Sequence, residues 1–373
     1  MTKISVMHIT YDMRIGGTEM VIKNLIEGSD PEVFEMSIFC VEEPLGPWGV
    51  DLQNNGIQIS SKARKPGFDT SLISAIRQHI KLNKIDIIHC HQYTPWVYGV
   101  IAAFGTKTKV ILTEHGRFYP DSSSWKRKLI NPLLSKITDC ITSISKATLQ
   151  ALVEFENIPS KKIQLVYNGI RPPEINPQKT VKLKDELAFT NLNLVFGTIA
   201  RLDPIKNHPL MINAFAAILK QFPNSKLIIV GDGEERLNIC KLIEKLGIQS
   251  SIIMPGYDPQ PQHYLELMDV FMLTSLSEGT SMTLLEAMAL GKPCIVTNAG
   301  GNPEIVIHEK TGLVCDNDDL PSLISAMLSM SKDIKIRNQY AEASKIRFSE
   351  LFENSIMINN YANIYQKLSK HAK

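Results

Sequence analysis

Short apolar runs alternate with stretches of helical periodicity along most of the chain. Strand-like runs are read at residues 5–9, 36–41, 85–90, 109–113, 140–143 and 163–166, and again at 194–199, 226–230, 251–254, 270–274, 294–297 and 313–314. Helical periodicity fills many of the gaps, as at 19–27, 72–82, 209–221, 234–246 and 320–330. Most of these strands are apolar without alternation, the pattern of strands buried on both faces. Strand and helix in repeated succession predict an α/β fold of parallel sheets covered by helices. RPPEINPQKT at 171–180 breaks the rhythm with three prolines and a polar run, the composition of an interdomain linker. One α/β unit lies on each side of it. Residues 352–373 put Met357, Tyr361, Ile364, Tyr365 and Leu368 on one helical face, so this last segment docks as an amphipathic helix. Two such domains facing each other predict a ligand cleft at the carboxyl ends of their sheets.

Composition narrows the class. The 373 residues suffice for two domains, 44% are hydrophobic, and the net charge of +2 gives no sign of a nucleic-acid partner. Charge is nevertheless uneven: residues 60–130 hold twelve Lys and Arg against four Asp and Glu, and residues 1–59 three against nine. The six cysteines are scattered without a C-x-x-C, which reads as reduced intracellular thiols. The N-terminal run is too short for a signal peptide, and no uncharged apolar stretch approaches the roughly 18 residues of a membrane span. A cytoplasmic protein is expected.

Several strand ends carry candidate chemistry. Gly16-Gly17, before the first helix, lets backbone amides approach an anion, although a tight turn has the same composition. His89 and His91 share one face of a strand. With no third ligand at a metal-like spacing, a cleft-lining or hydrogen-bonded role is expected rather than a metal site. His115 ends the next strand and points to the cleft mouth. Arg201 and Lys206 follow the first strand of the second half, where two cations suit a diphosphate; solvated loop cations are the plainer reading. Gly231-Asp232-Gly233 lacks the third glycine of a dinucleotide fingerprint. Asp316-Asn317-Asp318 reads as an acidic helix start rather than a metal-nucleotide D-x-D. In SEGTSMTLLEAMALGKP (277–293), Glu286 is either the far end of a Thr283 capping box or, if the helix starts near Thr280 or Ser281, a carboxylate that holds hydroxyls beside phosphate-binding amides.

Together these residues resemble a known family. Glu278 and Glu286 form E-x7-E within S-x-x-E-G-x-S-x-x-L-L-E-A-M-A-x-G-K-P, alongside A-R-L-x-x-x-K-N-H at 200–208, N-G-I at 168–170, T-E-H-G at 113–116 and G-G-T-E at 16–19. In this order over nearly the whole chain they are similar to the retaining, glycogen-synthase-like group 1 glycosyltransferases of the GT-B fold. The resemblance implies an acceptor-side domain of residues 1–170 plus 352–373, a linker at 171–190 and a nucleotide-sugar domain at 191–351. It implies that Arg201 and Lys206 hold the donor diphosphate with the amides near Thr283 and Leu284, and that Ser281 and Met282 also bind the donor. Glu286 would hold the ribose and Glu278 the donor sugar. Gly16, Gly17, Gly231, Gly256 and Tyr257 would line the donor, His115 would lie near the anomeric carbon, and His91 and Asn168 on the acceptor side. The implied reaction is transfer from a UDP-sugar, with retention and no tightly bound metal or other cofactor, to a saccharide or lipid-linked saccharide. A nucleotide-sugar 2-epimerase or a non-catalytic nucleotide-sugar-binding protein are the alternatives. Trp125 to Ile130, in the basic 60–130 region, is either a contact with anionic lipid at the inner face of the membrane or a solvated helix; Pro132 is expected to interrupt it.

Overall fold

Thirteen strands are found among the residues described by the computed structural model, which are 3–116, 124–190 and 194–370. Seven form one sheet: β1 (Ile4–Thr10), β2 (Phe34–Cys40), β3 (Gln58–Ser61), β4 (Ile87–His91), β5 (Lys109–Glu114), β6 (Cys140–Ser143) and β7 (Ile163–Leu165). Six form another: β8 (Val195–Ile199), β9 (Lys226–Val230), β10 (Ile252–Gly256), β11 (Val270–Leu273), β12 (Cys294–Thr297) and β13 (Gly312–Cys315). The orders are β3-β2-β1-β4-β5-β6-β7 and β10-β9-β8-β11-β12-β13, and every pairing is parallel. This is the α/β architecture of two Rossmann-like sheets. The chain divides into two compact units, residues 1–169 with 354–373 and residues 170–353.

Both sheets reverse their strand order beside their first strand, between β1 and β4 and between β8 and β11. At such a reversal the two connecting loops leave in opposite directions and open a crevice at the carboxyl ends of the strands. In the first unit the crevice loops follow Thr10 and His91. In the second they follow Ile199 and Leu273. Of the candidate residues read from the sequence, Gly16, Arg201, Lys206, Glu278 and Ser281 sit on these four loops.

Packing assigns the faces. Cys90 of β4 points to the helix Tyr93–Ala103, where a Cβ on Gly99 would lie 2.5 Å from its sulfur. His89 and His91 consequently point to the opposite face. The C-terminal helix Asn354–Lys370 belongs to this first unit and covers that face with buried Tyr361 and Tyr365. Tyr361 Oη lies 3.0 Å from Thr113 Oγ1, and Tyr365 Oη 2.7 Å from His89 Nδ1.

Some elements differ from the sequence expectation. Strand β3 is polar and half-exposed because it is a sheet edge, so it carries no apolar run. Residues 171–190 include a helix, Pro177–Glu186, capped by Asn176 and started by Pro177; it buries no residue fully, so no apolar stripe announces it. The helix Trp125–Lys136 runs through Pro132 rather than stopping there. Proline leaves the carbonyl four residues earlier unbonded, and here that residue, Lys128, is exposed to water. Buried Asn131 pins the same turn, taking the Tyr93 hydroxyl at 2.8 Å and donating to Glu156 at 2.7 Å. Arg117 to Ser123, part of the basic region, lie outside the described residues.

The Gly99 contact predicts that Gly99→Ala lowers the thermal midpoint although alanine favours helix, because the close contact costs about 1–3 kcal/mol. Cys90→Ala in the same chain should recover part of the loss. Additive effects in a double-mutant cycle would contradict the contact.

Candidate active site

In the second unit the loop after β8 is shaped by glycines. A Cβ on Gly231 would lie 2.0 Å from the Ala200 carbonyl oxygen, and one on Gly233 2.4 Å from that of Leu202. Both glycines have φ in the left-handed half, +138° and +158°. Gly231 also donates its amide to the Gly256 carbonyl at 2.9 Å. The glycine pair therefore lets the Arg201 loop lie flat on the sheet end. Tyr257, next along, is 60% exposed.

Lys206 ends this loop, and the loop after β11 holds it there. Thr274 Oγ1 donates to the Lys206 carbonyl at 3.0 Å, and the Leu276 amide to the Ile205 carbonyl at 2.8 Å. Lys206 Nζ meets Glu278 Oε1 at 2.6 Å, and Ser275 Oγ donates to the same oxygen at 2.6 Å. Side-chain exposure is 18% for Lys206 and 9% for Glu278. A charge so far from water needs its partner, so removal of either one leaves the other costly. Behind Glu278, its carbonyl accepts the Gly301 amide at 3.1 Å, and a Cβ on Gly300 would fall 1.9 Å from it. Arg201 is held differently: its guanidinium is 81% exposed and pairs, among the described residues, with Asp203 at 3.1 Å. Such a surface pair contributes little and leaves the group free to turn. The structure thus joins Lys206 to Glu278 and leaves Arg201 apart.

The helix following this loop spans Met282–Ala289 and is capped by Ser281, whose hydroxyl accepts the Leu284 amide. The Thr283 capping box does not form. Met282, Leu284, Leu285, Ala287 and Met288 are buried, so their side chains are closed to a ligand, and the Leu284 amide is already taken by the Ser281 cap. Thr283 Oγ1 lies 3.2 Å from Ser281 Oγ. Glu286 sits one turn in, half-buried. No group among the described residues bonds its carboxylate, and burial pushes its pKa from 4.5 up to about 7. Asp318 of the D-x-D accepts the Asn207 side-chain amide at 2.8 Å, and Asp319 caps the next helix.

In the first unit Gly16 caps the helix Gly17–Gly28, and a Cβ there would lie 2.5 Å from Glu19 Oε2. The chain's own carboxylate therefore folds over this helix start. Gln92, which sequence reasoning passed over, has φ +72° at the β4 end. Its amide bonds the Thr113 carbonyl at 2.9 Å and its side chain reaches Thr18 Oγ1 at 3.3 Å. A non-glycine residue in that conformation is strained and persists only where its surroundings fix it. Asn168 is buried, and its Oδ1 has no partner among the described residues.

His91 is fully buried rather than lining a cavity. Its Nε2 lies 2.9 Å from His8 Nδ1 and its Nδ1 2.8 Å from His115 Nε2. His8 is the third imidazole that no sequence spacing marked: β1 and β4 pair with His8 beside His89. Nitrogens of His8, His89 and His91 lie within 4.8 Å of one another. His89 uses both of its own, on the Tyr365 hydroxyl and on Thr113 Oγ1 at 2.6 Å. Burial lowers the pKa of all four histidines, to about 3 for His8 and His115, so the cluster is neutral.

Comparison with known proteins identifies the family. Residues 15–173 match the family model described as Glycosyltransferase Family 4, and residues 180–347 that of Glycosyl transferases group 1. The chain is 27% identical to N-acetyl-alpha-D-glucosaminyl L-malate synthase of Bacillus anthracis, covering 83% of this chain and 81% of that one. It is 26% identical to UDP-Gal:alpha-D-GlcNAc-diphosphoundecaprenol alpha-1,3-galactosyltransferase of Escherichia coli, covering 89% of each. Anabaena Alr3699/HepE in complex with UDP-glucose superposes with a TM-score of 0.84 at 20% identity, covering 98% of this chain and 100% of that one. The two family models and the shared fold make this chain a group 1 glycosyltransferase of the GT-B fold.

Proposed function

We propose that the protein transfers a sugar from a UDP-sugar to a hydroxyl of a saccharide or lipid-linked saccharide, with retention of anomeric configuration. The observation that carries this reading is the buried Lys206–Glu278 pair beside the Ser281-capped helix, with the Glu286 carboxylate unbonded one turn in. A diphosphate suits Lys206, the exposed Arg201 and the amides at the helix start. Lys206 then turns from Glu278 to the phosphate, and Glu278 takes hydroxyls of the donor sugar in its place. Glu286 accepts the ribose hydroxyls, which gives its carboxylate the hydrogen bonds that the described residues do not supply. In the transfer step the bond from anomeric carbon to phosphate oxygen breaks and one to the acceptor oxygen forms on the same face. The acceptor proton passes to the leaving phosphate, whose charge Lys206 stabilises. The roles in the first unit, with His115 near the transferred sugar and Gly16, Gly17 and Asn168 around donor and acceptor, rest on the sequence resemblance. The names of the E. coli and Anabaena proteins support a uridine carrier, and the E. coli name a lipid diphosphate acceptor.

A lipid-linked acceptor fits the surface of the helix Trp125–Lys136. Trp125, Leu129, Ile130, Leu133 and nearby Ile137 are 44–69% exposed, spaced mainly four apart as one stripe. Lys126, Lys128 and Lys136 are exposed on the same helix. An apolar stripe flanked by lysines suits the headgroup boundary of an anionic bilayer at the cytoplasmic face. No helix among the described residues is long and apolar enough to cross a membrane.

Lys206→Ala should lower UDP release from UDP-sugars, measured with saccharide and lipid-linked acceptors, by about 10²–10³-fold. A retained rate would remove the leaving-group role. For the helix, Leu129→Glu with Leu133→Glu should reduce co-sedimentation with phosphatidylglycerol vesicles at least about tenfold. Equal sedimentation of wild type and variant would exclude this face as the membrane contact.

A further inference from the structure

Gln92 occupies a backbone conformation that belongs to glycine. It joins β4 to the helix Tyr93–Ala103 with φ +72° and ψ 173°. A Cβ in that region crowds its own backbone, so glycine populates it almost alone. The backbone bonds on either side explain why the chain turns there. The Gln92 amide donates to the Thr113 carbonyl at 2.9 Å, and its carbonyl accepts the Trp96 amide at 3.2 Å. These bonds extend the sheet and start the helix, and a glycine would make both. They do not explain the glutamine.

What glutamine adds is a side chain, and its Nε2 donates to Thr18 Oγ1 at 3.3 Å. Thr18 is buried in the first turn of the helix Gly17–Gly28. It is the first side chain after Gly16-Gly17, a pair with no side chain to anchor it. The loop between β1 and that helix is one of the two that open the crevice of the first unit, and the loop after His91 is the other. A hydrogen bond between Tyr11 and Thr94 joins the two loops where the first leaves β1. Gln92 and Thr18 join them again where it enters the helix. We propose that Gln92 is a positioning residue, kept in a strained conformation so that its carboxamide clamps the Gly16-Gly17 segment to the end of β4. Strain retained where a glycine would relieve it marks a demand of function rather than of folding. A crevice segment serves a reaction only if it is held in register with the substrate. That use of the segment rests on the UDP-sugar transfer reading; the clamp does not.

Three variants of the full chain test it. Gln92→Ala removes the carboxamide and keeps the Cβ, Gln92→Gly removes both, and Thr18→Val removes the acceptor and keeps the shape. Alanine ordinarily stabilises a chain relative to glycine. Here the order should invert, with Gln92→Gly melting about 2–4 °C above Gln92→Ala. Amide hydrogen exchange of the peptide spanning residues 14–20 should quicken about three- to tenfold in all three variants. UDP release from UDP-glucose or UDP-galactose, with saccharide and lipid-linked acceptors, should fall about tenfold in each. Combining Gln92→Ala with Thr18→Val should cost no further rate, because both break one bond. A Gln92→Ala variant that melts as high as Gln92→Gly overturns the proposal. So do unchanged exchange at 14–20, an undiminished rate, or losses of rate that add in the double variant. Melting and exchange need no substrate. A wild-type chain that releases no UDP would therefore count against the transfer reading, while the clamp is decided separately.

Discussion

The pairing of Lys206 with Glu278 is the interaction around which the second unit is organised. Two charges this far from water are tolerable only as partners, so the chain brings their loops together from the ends of β8 and β11. Thr274, Ser275, Gly300 and Gly301 are all committed to that arrangement, either bonding the two loops or leaving room for the Glu278 carbonyl. The same loops present helix amides and Glu286. A carboxylate that no group among the described residues bonds, held in a place that raises its pKa, is a local cost to stability of the kind found at functional sites.

The first unit solves a different problem by neutrality. Its sheet buries three histidines, His8, His89 and His91, on one face under the tyrosines of the C-terminal helix, and His115 follows β5 beside them. Protonated, they would repel one another without solvent; uncharged, they bond in series and with Tyr365 and Thr113. Sequence-distant parts, β1, β4, β5 and residues 354–370, are joined by this polar layer, so the last helix is specified by hydrogen bonds as well as by its apolar stripe.

Much of the fold was legible because parallel strands buried on both faces must be apolar, as at Leu227 to Val230 or Val270 to Leu273. What was not legible follows from elements that escape that rule. Edge strand β3 needs no apolar run, and the helix Tyr93–Ala103 is buried on most sides and shows little periodicity. Pro132 was misleading because solvent and Asn131 compensate for it. In the site, Glu278 and Lys206 were marked by their motifs, but their bond to each other was not, since it depends on loops 72 residues apart. His8 carried no signal: a lone histidine in an apolar strand becomes meaningful only through the register that sets it beside His89.

If a sugar nucleotide supplies the partners that Glu286 lacks among the described residues, its binding is linked to a proton. In the free protein Glu286 titrates near 7, above the 4.5 of an ordinary glutamate, so near that pH it is partly protonated. Ribose hydroxyls that donate to the carboxylate favour its charged form and lower its pKa, so binding must release protons. Titration calorimetry of a UDP-sugar at pH ~7, in buffers of different ionisation enthalpy, should show release of about half a proton per site. The release should vanish in Glu286→Gln. Binding without proton release, or release that persists in that variant, would contradict the account.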